Sequence, residues 1–153
     1  SGGLNEPAPF VADTTGEFVI DNSQAGDNQI VQVTHRGGDG VAVDEIEIIV
    51  RASGPSLDTE ARLVDLPADD TTIDNKNIEG NVDLIDTSDA VQIIQEDDSN
   101  VWSAGDTITF RINTGDADFR IERYNTDPEA DTLEVMIVHT PSNAIISEHT
   151  FTP

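Results

Sequence analysis

The chain has 153 residues, no cysteine and 5% aromatic residues, so one continuous core must rest on Ile, Val and Leu without disulfides or thiolate metal sites. Thirty-one acidic residues against seven basic ones give a formal charge of −24, which opposes contact with nucleic acid or an anionic membrane. No apolar run approaches the roughly 18 residues of a membrane-spanning helix.

The opening "SGGLNEPAPF" is small and flexible and reads as a processed or engineered end. Residues 1–16 are expected to form an extended flexible leader, and residues 17–153 a single domain. From there period-two alternation dominates. "EFVID" (17–21) predicts a short first strand, closed by the turn-rich "NSQAGDN". Val31 and Val33 then share one face, with Ile30, Gln32 and Thr34 on the other. After the corner Arg36-Gly37-Gly38-Asp39-Gly40, whose glycines permit positive φ, Ile46, Ile48 and Val50 share a face opposed by Glu45, Glu47 and Arg51.

"ARLVDL" (61–66) reads as a strand, and 67–89 as a loosely patterned insertion. "AVQIIQ" (90–95) is a strand candidate before the acidic turn "EDDSN". "ITFRIN" (108–113) alternates most cleanly, and "FRIERY" (119–124) is expected to pair with it through a loop containing Gly115. "TLEVMIVHT" and "AIISEHTF" bracket the tight reversal "PSN". No segment sustains a 3.6-residue period, so no long helix is expected. The pattern predicts an all-β fold, an immunoglobulin-like antiparallel β-sandwich of about seven to nine strands.

Such a charge on an ordered β protein needs an environment that screens it. At molar salt the Debye length falls to about 3 Å. Lys76 is the one lysine, the other basic residues being arginine, so few long ammonium stems are left at the surface. The composition is that of a halophile's protein; a calcium-loaded secreted domain is the alternative.

No constellation predicts catalysis. His35, His139 and His149 lie on different predicted strands or strand ends, with nothing in the sequence to gather them into a metal site. The acid pairs Asp69-Asp70, Asp97-Asp98 and Asp116 with Asp118 are expected from composition alone, and lack both the spacing of a calcium loop and the aromatic platforms of a glycosidase. Trp102 reads as a plug at a strand edge. No enzyme activity, cofactor or metal is expected.

"QVTHRGGDGVAVDEIEIIV", "WSAGDTITF" and "LEVMIVHTPSNAIISEHTF" together resemble the C-terminal head domain of haloarchaeal type IV pilins. Thr34, His35, Gly37, Gly38 and Asp39 match that family's corner between strands. Ser103, Ala104, Gly105 and Asp106 match its turn, and His139, Pro141 and Ser142 its closing hairpin. The resemblance implies a non-enzymatic subunit of an extracellular filament serving adhesion or motility. Its partners would be copies of itself, and surfaces or other cells. The family's cleavable leader and membrane-anchored hydrophobic helix are not in the sequence given. Two alternatives remain: a secreted carbohydrate- or calcium-binding module, or a fibre subunit in which "APFVAD" completes a neighbour's sheet.

Overall fold

A computed structural model describes residues 7–23, 29–67, 73–87, 100–123 and 126–153. Ten strands are found among these residues: β1 (Val11–Ile20), β2 (Gln29–Gly38), β3 (Val41–Ala42), β4 (Ile46–Gly54), β5 (Leu57–Leu63), β6 (Ile78–Gly80), β7 (Val101–Trp102), β8 (Thr107–Arg111), β9 (Thr132–His139) and β10 (Ala144–Phe151). They form a front sheet of order β1-β2-β8, a back sheet of order β10-β9-β4-β5-β6 and a small β3-β7 ribbon. Every strand pair is antiparallel. The architecture is the all-β, sandwich-like fold expected, and the surplus over nine strands comes from the very short β3, β6 and β7.

Alternation builds the core. Val31 and Val33 of β2 and Ile108 and Phe110 of β8 point inward from the front sheet. Ile46, Ile48, Val50, Ala52, Leu133, Val135 and Ile137 answer them from β4 and β9. β-branched residues suit these positions because their stiff side chains pack on a pleated surface. Burying one such side chain stabilises the fold by about 1.5–3 kcal/mol.

Three expectations are corrected. Residues 11–16 are not a leader: β1 begins at Val11 and pairs with β2, from Val11 opposite Gly38 to Ile20 opposite Gln29. The polar Ala-Asp-Thr-Thr-Gly run hid this strand because β1 is an edge, where half of the residues face water. The 67–89 stretch is not a mere excursion, for its described part supplies β6 and the buried Ile73, Ile78, Leu84 and Ile85. The described part of "FRIERY", 119–123, is not a strand; Phe119 and Arg120 are buried within irregular chain. Gly115 sits in a local turn, its N–H donating to Asn113 Oδ1 at 3.0 Å, so no hairpin forms there. The strand expected at 90–95 lies outside the described residues.

Candidate functional site

The three sequence motifs meet at one end of the sandwich, where the chain crosses from the front sheet to the back sheet. Gly38 ends β2 with φ +101°, and a Cβ on it would collide with the carbonyl oxygen of Phe10. Glycine is therefore required twice over, by conformation and by close approach. Next to it, Asp39 grips the chain entering the domain: its N–H donates to Phe10 O at 2.6 Å, and its Oδ2 accepts from Phe10 N at 2.9 Å.

His35 joins this corner to the second motif. Its Nε2 donates to Asp39 O at 2.7 Å, and its Nδ1 is buried with no hydrogen-bond partner. Its main-chain N–H donates to Asp106 O at 3.0 Å, and its carbonyl accepts from Gly105 N at 2.7 Å. Asp106 O also accepts from Trp102 Nε1 at 3.0 Å, and the Trp102 ring meets the His35 ring edge-on at 5.1 Å. The Ser103–Asp106 turn closes on itself: Asp106 N donates to Ser103 O at 2.8 Å, and Ser103 N to Asp106 Oδ2 at 2.9 Å. Gly105 has φ +97°, and Ala104 is the exposed tip. Thr34 and Thr107 hydroxyls meet at 2.8 Å just below.

The third motif contacts the same crossover one turn later. A single 3₁₀ turn, Val43–Glu45, delivers the chain into β4. Thr140 N donates to Glu45 O at 2.9 Å, and His139 Nε2 lies 3.4 Å from Glu45 Oε2. His139 Nδ1 and Ser142 Oγ are 2.7 Å apart, and Ala144 N donates to that hydroxyl at 3.3 Å. Pro141 occupies the reversal, which Asn143 completes at φ 57°.

What this arrangement can do chemically follows from burial. His35 and Trp102 are fully buried and His139 is 5% exposed, so none presents a reactive atom to a ligand. His35, Asp39, Trp102 and Asp106 bond to main chain, and Thr34 and His139 to neighbouring side chains, so the group ties the crossover together. Trp102, at the end of the short edge strand β7, is fully buried within the core cluster. The three histidines stand apart: His149 is on β10, where Nε2 lies 2.8 Å from Thr14 Oγ1, itself 2.8 Å from Ser147 Oγ. Among the described residues no group of three or more His, Asp or Glu is placed to hold a metal ion, and no helix is long and apolar enough to cross a membrane.

The opposite end of β2 holds a second polar cluster that the motifs did not mark. Gln29 is fully buried, donating to Ala117 O at 2.8 Å and Ile112 O at 3.3 Å and accepting from Phe119 N at 2.7 Å. Beside it Arg120 makes a forked pair with Asp118, Nε to Oδ1 at 2.9 Å and Nη2 to Oδ2 at 2.8 Å. The same guanidinium reaches Asp127 Oδ2 at 3.0 Å and Ser23 O at 3.1 Å, tying the chain just after β1 to Asp118 and Asp127. Burial pushes the Asp118 carboxyl up, but the hydrogen bonds and charge of Arg120, with a further bond involving Asp127, outweigh it and hold the pKa below 3.8. The available signal was a glutamine in an inward register with Val31 and Val33, and an arginine two residues from an aspartate.

No protein-family model, curated protein or solved structure matches the chain.

Proposed function

We propose that this chain is the head of a non-enzymatic structural subunit in an extracellular, type IV pilus-like filament of a halophilic archaeon, serving adhesion or motility. The observation that carries the reading is the convergence of the three resembling motifs on one joint. Their residues bond to backbone around the sheet crossover and grip the chain where it enters at Phe10. A domain hung from a preceding segment needs a firm attachment at that point. The charge of −24 supports a working environment of molar salt, where it is screened. Residues 11–16 complete their own sheet beside β2, which favours this reading over one in which they complete a neighbour's.

The test is immunogold labelling of cells that express the full gene, with antibody raised against this domain. Label along extracellular filaments is the expected result. Label confined to the cytoplasm, or to soluble protein in the medium, would overturn the proposal.

A further inference from the structure

The chain enters β1 and leaves β10 at opposite ends of the sandwich, along neighbouring strands. β1 starts at the Gly38 end of β2, with Val11 opposite Gly38, and finishes with Ile20 opposite Gln29. β10 starts with Ala144 opposite His139, beside the crossover at Glu45, and finishes with Phe151 opposite Leu133. Thr14 of β1 meets Ser147 and His149 of β10, and further along Phe18 meets Phe151. The two edge strands, one from each sheet, therefore run side by side in the same direction.

This arrangement decides how the domain answers a pull. Tension between Phe10 and the end of β10 drags β1 along β2 and β10 along β9, in opposite senses. Strand-to-strand hydrogen bonds lie across the strands, so a sliding load falls on the whole ladder together. For β1 that means nine paired positions at once, from Val11 to Ile20. A pull across the strands opens the same ladder one pair at a time. The seam between the sheets resists the same sliding. Thr14 Oγ1 lies 2.8 Å from both Ser147 Oγ and His149 Nε2, so one hydroxyl links two positions of β10. Gly16 leaves room for the His149 ring, and the Phe18 and Phe151 rings lie 5.8 Å apart across the seam. Both ends of β1 are also tethered. Asp39 bonds the N–H and the carbonyl of Phe10 at one end. At the other, Arg120 Nη1 donates to Ser23 O and Ile121 N to Asn22 Oδ1, each at 3.1 Å.

We infer that this domain carries tension along its long axis, from Phe10 to the far end of β10, through β1, β10 and the seam between them. The inference goes beyond the proposed filament role and does not depend on it. A mechanically weak axis with labelled filaments would remove the tension path and leave the filament.

Single-molecule force spectroscopy in KCl at about 3 M tests it. The chain has no cysteine, so two introduced thiols fix the pulling points. Pro7→Cys with Pro153→Cys loads the axis. Pro7→Cys with Ala104→Cys, on the exposed turn at the Gly38 end, pulls across the strands. At one loading rate the axial pair should unfold at about twice the force or more. Equal forces, or a weaker axis, overturn the inference. Thr14→Val removes the bonds across the seam and should lower the axial force, with Ser147→Ala as the second variant should the first not fold. Ile78→Val trims the core on β6, at the opposite edge of the back sheet, and should leave the axial force as it is. Seam variants that lower that force no more than Ile78→Val would place the resistance elsewhere and also overturn the inference.

Discussion

The two ends of β2 are both closed by buried polar groups, but with different chemistry. At the Gly38 end an imidazole and an indole bond to main-chain carbonyls, and the glycines of the corner and turn let the backbone come close. At the Gln29 end the closure is ionic, with a buried guanidinium shared between Asp118, Asp127 and a main-chain carbonyl. Removing one member of a set of single hydrogen bonds to main chain costs modest energy. A buried ion pair is different: its attraction is largely offset by desolvation while both partners are present, yet removing one strands a charge. The upper joint should therefore degrade gradually under mutation and the lower one abruptly.

The largest effect should come from Arg120→Leu. It leaves Asp118 buried without its partner and should cost about 3–5 kcal/mol in urea unfolding monitored by tryptophan fluorescence. Adding Asp118→Leu should recover much of that loss; a double variant as unstable as the single one would show that the arginine acts through packing alone. The same pair predicts an acid limb. Because the folded Asp118 pKa lies below its ordinary 3.8, its contribution is fully present above that value and is lost as pH falls below it through the folded pKa. Asp118→Asn should flatten the stability curve below pH 3.8, and an unchanged acid limb would contradict the linkage.

Next in size comes Gly38→Ala, expected to cost about 1–3 kcal/mol from strained φ, with the collision at Phe10 O added to it. Gly105→Ala is its control, since φ is similar but nothing lies within 4 Å of the added Cβ. Equal losses at the two glycines, measured by thermal unfolding in molar KCl, would mean that the approach to Phe10 is unimportant. Trp102→Phe keeps most of the apolar volume but removes the bond to Asp106 O, for an expected loss of about 1 kcal/mol. The smallest effect belongs to Arg51→Ala. Its ion pairs are long and exposed, so stability should change by no more than about 0.5 kcal/mol.

The upper joint was legible because turns write themselves locally. A run such as Arg36-Gly37-Gly38-Asp39-Gly40 announces a change of direction from its residue types, and strict alternation in 46–50 and 108–112 fixes the inward faces. What no local pattern gave was that His35, seventy residues before Gly105 in the chain, accepts a main-chain hydrogen bond from Gly105 and donates one to Asp106. β1 was read six residues short because an edge strand needs only one buried side, and Thr14 and Gly16 carry no apolar signal. Gly16 is instead fitted to the His149 ring, whose Cγ would lie 2.7 Å from an added Cβ. Phe119 and Arg120 sit in a segment with strand-like alternation, yet the buried Asp118–Arg120 pair and Gln29 hold it irregular. Side-chain hydrogen bonds there replace the ladder, and period-two patterns are blind to that substitution.

The central claim is that the motif residues form a structural joint whose loop amides belong to the folding core. Native-state amide hydrogen exchange in concentrated KCl tests it most directly. The amides of His35, Gly105, Val43 and Thr140 should exchange only through openings close to global unfolding, because each donates to a carbonyl across the crossover. Exchange of Gly105 and Val43 at the rate of free loops, while the amides of β2 and β4 stay protected, would contradict the account.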